Sequence, residues 1–170
     1  MIFPKRNKID KNKKINFNFE KKYEQSKPSV KPSGFWYSCY SSWYNWVNIE
    51  MPHLLYKYIH KININKNVLT NIRYKNKEKI LVINNIKDFD LFNKKYGYID
   101  KNNLYELIQW AKVEKDYGGI EICPYLTERS NYLWYSSFDV ASGCIWNIKS
   151  IIKNSELVYE KIKNKYVKVL

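Results

Sequence analysis

Only three cysteines, Cys39, Cys123 and Cys144, occur in the 170 residues, an odd number without CxxC spacing. That argues against a disulfide framework and a zinc site, so all three are read as reduced thiols. Histidine is scarcer still. His53 and His60 stand seven residues apart, on opposite faces of a strand, and make no ligand pair, so no metal is expected. The five glycines show neither a GxGxxG nor a GxxxxGK[ST] order, which leaves no glycine-rich loop to cradle a triphosphate. No apolar run approaches the roughly 20 residues of a membrane span. The first residues, MIFPKRNKIDKNKK, carry charge where a signal peptide would be apolar. A cytoplasmic protein with no membrane partner is the expectation.

Arginine is nearly missing as well. Lys outnumbers Arg 27 to 3 in a chain of formal net charge +14, although Arg is the residue suited to bidentate contacts with phosphate and guanine. Lys, Asn, Ile and Tyr together make 83 of the 170 residues, and all four have codons rich in A and T. Much of the charge therefore follows from codon bias, and net charge alone speaks to non-specific association. What remains is unevenly placed. Residues 1 to 34 hold ten basic residues against three acidic ones, so residues 1 to 30 read as a basic, partly disordered arm that offers nucleic acid an electrostatic surface. Its one apolar alternation, Ile15, Phe17 and Phe19, predicts an edge strand, with Pro28 and Pro32 before the domain proper.

From residue 31 to 170 the pattern predicts one compact α+β domain, a mixed sheet with short flanking helices. Phe35, Trp36 and Tyr37 are strand formers, followed by Ser41 or Ser42 as cap of a short helix bearing Trp43, Trp46 and Val47. Pro52 ends it. A half-exposed strand is expected from Leu54 to Ile64, and a buried one over Ile80 to Ile83. Asp88 should then cap a helix carrying Phe89, Phe92 and Tyr96, stopped at Gly97. Asn103 and Glu106 resemble a capping box, and Leu104, Leu107, Ile108 and Ala111 recur at helical spacing, which predicts another helix there. A strand over Ile120 to Cys123 is cut off by Pro124. A loop runs from 124 to 141, a last strand covers Gly143 to Trp146, and a terminal helix begins near Glu156 with Leu157, Val158 and Ile162 on one side.

Tryptophan clusters in GFWYSCYSSWYNW at 34 to 46 and LWYSSFDVASGCIW at 133 to 146. One reading makes these core side chains whose polar atoms find partners. The other makes them the walls of a pocket in which a flat base or nicotinamide ring stacks on Trp36, Tyr37, Trp134 and Tyr135, with Ser38, Ser136 and Ser142 supplying hydroxyls. Glu121, in GGIEICPY, alternates with Ile120 and Ile122 and so faces away from their core, a position suited to binding a sugar hydroxyl or a cationic centre. An exposed Glu on a sheet face reads equally from the same pattern. Asp116 and Asp139 are further acidic candidates, Asp139 also as the cap of a turn. Cys144 beside Gly143 is a nucleophile candidate with no histidine near it in sequence, and otherwise a small buried hydrophobe.

Three segments, KPSGFWYS at 31 to 38 with SWYNW following, KDYGGIEICPY at 115 to 125, and WYSSFDVASGCIWN at 134 to 147, resemble a family of uncharacterised proteins of bacteriophages and large DNA viruses. That family's pattern is KPxGLWxS, YDGIEIxPY and WYxxWDxxSGCIW. This chain departs from it at Phe35, Gly118 and Phe138. More distantly, the order of the blocks resembles the ADP-ribosyltransferase fold. The resemblance implies NAD as cofactor and a host or viral macromolecule as acceptor in the host cytoplasm. It places Ser38 in the nicotinamide pocket, Glu121 in the acidic role, and Trp36, Tyr37, Trp134, Tyr135 and Asp139 around the cofactor. The stretch INFNFEKKYEQ offers no first-strand Arg or His of the kind those enzymes use. The alternative is a non-enzymatic interaction module that presents the Trp-rich surface and the basic arm to nucleic acid or a host protein.

Overall fold

The computed structural model describes residues 5–65, 67–100 and 104–169. In chain order the elements are β1 (Arg6–Asp10), β2 (Phe35–Cys39), α1 (Ser42–Glu50), β3 (Tyr58–Ile64), β4 (Leu69–Thr70), β5 (Asn76–Ile83) and α2 (Ile86–Tyr96). They continue with β6 (Gly97–Ile99), β7 (Glu106–Ile108), α3 (Trp110–Asp116), β8 (Tyr117–Ile122), α4 (Leu133–Ser136), β9 (Ser142–Ile145), α5 (Ile148–Ile151), β10 (Ile152–Ile162) and β11 (Lys165–Lys168). Nine strands form one mixed sheet in the order β11-β10-β3-β1-β2-β9-β8-β5-β4, while β6 and β7 form a separate hairpin. This is the α+β domain with a mixed sheet and short helices that the pattern predicts. Among the described residues, parallel pairing is confined to β4, β5 and β8. The connection from β5 to β8 carries α2, the small hairpin and α3, as a parallel crossover requires.

Each sheet face is covered separately, because alternate residues of a strand point to opposite sides. Leu81, Ile83, Ile120, Ile122 and Cys144 pack with Phe89, Phe92, Val113, Trp110 and Trp134 from α2, α3 and α4. On the other side Ile80, Ile145, Phe35 and Tyr37 pack with Ile148 and Ile151 of α5, and Ile15, Phe17 and Tyr23 lie against that cluster. Residues 15 to 19 therefore cover a face and form no edge strand. The strand of the basic segment lies earlier and centrally. Arg6 and Asn7 pair with Cys39 and Ser38, and Asn7 to Asp10 pair with Lys61 to Tyr58. The boundary expected at residue 31 thus does not separate an arm from a domain, because β1 is bordered on both sides.

Two predicted helices are strands instead. Gly97, Tyr98 and Ile99 pair with Ile108, Leu107 and Glu106, so the helix expected to begin near residue 103 starts only at Trp110. Leu104 is 80% exposed, and Asn103, the expected cap, lies outside the described residues. Near the other end, residues 152–162 run beside β3 and turn back through Lys163 and Asn164 into β11. Both turn residues have positive φ, 46° and 65°, as a two-residue type I′ hairpin demands. Smaller shifts occur elsewhere. The cap of α2 is Asn85, whose side chain accepts from the Asp88 N–H, rather than Asp88 itself. Ser41 holds the cap position of α1 without a side-chain cap bond. The segment 124–141 contains α4 and a short 3-10 turn at Thr127–Arg129. No helix among the described residues is long and apolar enough to cross a membrane.

Candidate functional site

Strand alternation sends the two residues expected to be catalytic to opposite faces. Glu121 pairs with Gly143 and Gly143 with Tyr37, which forms one cross-strand row. Ser38 belongs to the next row, with Ser142 and Ile122, whose side chains point the other way. Glu121 is 1% exposed and clamped by Arg6, whose Nε and Nη2 donate to the carboxylate at 2.7 and 3.0 Å. The Tyr37 hydroxyl donates to it at 2.8 Å. Burial and the neighbouring carboxylate raise the Tyr37 pKa well above the usual phenol value, which keeps it protonated as a donor. Tyr37 reaches Glu121 across Gly143, where a Cβ would fall on its hydroxyl and ring. Neither reading of Glu121 anticipated this: the side chain faces away from the Ile120 and Ile122 core, yet it is closed in a second one.

A concavity lined by aromatic rings lies on the face of Ser38, beside β1 and β2. It is a cleft of about 340 Å³ whose walls include Trp36, Trp43, Tyr56, Phe138, Leu54 and Ile9, with Asn7, Lys8, Lys31, Ser38, Asp139 and Ser142 as its polar residues. Its size and its mixture of apolar walls with a few polar groups fit a small-ligand site. Trp36 meets Phe138 edge to face at 5.0 Å, and Trp43 is backed by Trp46 at 5.1 Å. The Lys31 ammonium lies 5.7 Å from the Trp36 ring and 3.4 Å from the Asp139 carboxylate. Asp139 sits in the left-handed region, φ 62°, just after α4. Lys8 borders the cleft, but its ammonium donates to the Trp36 carbonyl at 3.3 Å and lies 4.8 Å from the ring of Phe35, toward the opposite face. Burial lowers its pKa, and Asp10 partly offsets that effect.

Of the residues expected around a cofactor, Trp36, Tyr37, Ser38 and Asp139 border this cleft, although the Tyr37 hydroxyl is engaged on the opposite face. The Ser38 hydroxyl donates to the Asn7 carbonyl at 3.1 Å and that of Ser142 to the Val140 carbonyl at 3.0 Å. Trp134 and Tyr135 are fully buried behind the wall rather than in it. Trp134 stacks on Phe89 at 5.1 Å and donates to Asn93 Oδ1, while the Tyr135 hydroxyl accepts from the Leu126 N–H. Both rings touch Phe138 and so hold the cleft indirectly. Ser136 bonds within its own helix. Asp116 accepts from the Tyr96 hydroxyl at 2.6 Å and pairs with Lys75 and Lys95, away from the cleft. Burial raises the Cys144 pKa well above that of an ordinary thiol, which removes it as a nucleophile.

Lys8, Lys31, Trp43, Tyr56 and Phe138 were not singled out as site residues by sequence. Lys31, Trp43 and Phe138 stand within or beside the aromatic motifs, so proximity to them was the available signal. Lys8 had none, because a lysine in a basic stretch does not announce a central strand. Among the described residues no group of three or more His, Cys, Asp or Glu side chains is arranged to hold a metal ion. Compared with known proteins, the chain matches no family model, no curated protein and no solved structure.

Proposed function

We propose that the protein binds a nucleotide-type ligand, a planar ring carrying an anionic group, in the cleft between α1, β1, β2 and the turn after α4. One observation carries the reading: Trp36, Trp43, Tyr56 and Phe138 line the same cleft as Lys31, whose ammonium stands 5.7 Å from the Trp36 ring. The rings offer apolar and π surface to a base, and the Lys31 ammonium offers charge to a phosphate. Ser38 and Ser142 can accept from a sugar hydroxyl while their own protons are held by backbone carbonyls. NAD belongs to this ligand class, and the resemblance to viral proteins and to ADP-ribosyltransferases makes it the first nucleotide to try. Transfer chemistry has weaker support than binding. Glu121 is closed against Arg6 and Tyr37 on the far face, and Asp139, the one carboxylate bordering the cleft among the described residues, is paired with Lys31.

Thermal unfolding with NAD, AMP, adenosine and inorganic phosphate tests the reading. A ligand at about 100 times its dissociation constant adds about 2.7 kcal/mol of stability, which for a chain of this size raises Tm by roughly 5 to 10 °C. AMP or NAD should produce that shift, and adenosine or phosphate alone a smaller one. Trp36→Ala should remove it, and Lys31→Ala should weaken AMP while sparing adenosine. No shift with any of the four at millimolar concentration, or the same shift in Trp36→Ala, overturns the assignment.

A further inference from the structure

Cations flank this cleft on two sides. Lys31 places its ammonium by Trp36, on β2. Lys11, just past the end of β1, places its ammonium 4.9 Å from the ring of Tyr56, which leads into β3. Trp36 and Tyr56 both line the cleft, and β1 lies between their strands in the sheet. Neighbouring strands are about 4.8 Å apart, so strands on either side of β1 are separated by about 10 Å. A free mononucleotide carries its phosphate on one side of the sugar and leaves one of these ends unmet. A nucleotide inside a chain carries phosphate on both sides. The exposed segment after Lys11 continues with Lys13 and Lys14, and its one neighbouring carboxylate, Asp10, accepts from the Asn12 N–H.

Resting on the nucleotide reading, we infer that the natural occupant is an internal nucleotide of a single-stranded nucleic acid, with its base among Trp36, Trp43 and Tyr56 and its flanking phosphates on Lys31 and Lys11. The rings are half-buried in a concave site, which a base can enter only after leaving a duplex stack. Stacking platforms with a cationic track are the usual means of holding single strands. This gives the basic segment a definite role: Lys11 contributes from the rim of an ordered site rather than from a loose arm.

The test uses fluorescence anisotropy of a labelled twelve-nucleotide single strand, with AMP and the matching duplex as competitors, between 50 and 200 mM salt. The single strand should bind at least tenfold more tightly than AMP, and the duplex should compete poorly. Each phosphate neutralised on a single strand contributes about 0.7 to the salt slope, so Lys11→Ala should reduce the slope by about 0.7. AMP should lose less affinity than the oligonucleotide in that variant, since its single phosphate is met by Lys31, whereas Trp36→Ala should weaken both ligands. If AMP binds as tightly as the oligonucleotide, or Lys11→Ala leaves the slope unaltered, the polymer inference falls and the nucleotide reading stands. Equal binding of duplex and single strand also overturns it, because that is the behaviour of undirected charge. Binding of neither ligand overturns both readings.

Discussion

At Glu121 a single side chain joins three strands. Its carboxylate receives two bonds from Arg6 on β1 and one from Tyr37 on β2, while its own strand, β8, lies beyond β9. Breaking a buried ion pair from one side costs about 3 to 5 kcal/mol, because the remaining charge keeps its desolvation penalty without compensation. Glu121→Gln should therefore lower the urea midpoint severely, an outcome opposite to that of a catalytic acid whose loss leaves the fold intact. A midpoint within experimental error of the parent would contradict the structural role. Gly143 is needed for the same cluster. Gly143→Ala puts a methyl where the Tyr37 ring lies, and overpacking of this kind costs about 1 to 3 kcal/mol. Combining it with Tyr37→Phe should relieve little, since the ring itself is struck. A double variant as stable as Tyr37→Phe alone would show that only the hydroxyl matters.

At the scale of the element, local periodicity and strand pairing compete, and pairing decides in two places. Leu157, Val158 and Ile162 suit one side of a helix, but the same segment also presents a row of backbone donors and acceptors to β3, with which it pairs from Ile152 to Glu160. The Lys163 and Asn164 turn makes the return strand available. Asn tolerates the left-handed region, whereas a β-branched residue there is strained by about 1 to 2 kcal/mol. Asn164→Val is expected to loosen the β10–β11 hairpin, with faster amide exchange at Lys165 to Lys168. Asn164→Gly should slow it, and unchanged protection in both would remove the turn as the cause. The helical spacing around Leu104 to Ala111 was overridden in the same way. Ile108 is buried and pairs with Gly97, so the segment joins the small hairpin before α3 begins.

For the whole molecule, β1 is the element on which the sheet and the cleft both depend. It separates β3 from β2, supplies Arg6 to one face, and borders the cleft through Asn7, Lys8 and Ile9. Removing residues 1 to 10 would leave two strand edges unpaired in mid-sheet and Glu121 buried without its cation. Such a truncation should fail to unfold cooperatively, whereas removal of a dispensable arm would change only the charge. Supplying residues 1 to 14 as a peptide should restore part of the lost stability by strand addition. A truncated chain that unfolds at the parent temperature would refute the central placement.

Pattern along the chain was enough for the α+β class, for α2 with its Phe89, Phe92 and Tyr96 face, for the strand formers of β2, β5, β8 and β9, and for the aromatic motifs that contain Trp36, Ser38 and Asp139. Each of these rests on propensity or on residues close in sequence, where alternation and capping act directly. The placement of β1, the closure of Glu121 by Arg6 and the meeting of Tyr56 with Lys31 and Trp43 around one cleft did not follow from any local signal. Arg6 and Glu121 are 115 residues apart, and which strand lies between which others is a property of the packed sheet alone. A lysine-rich segment looks solvated when it is read by itself. It becomes a central strand because Ile9 and the Arg6–Glu121 pair have somewhere to go once the rest of the sheet exists.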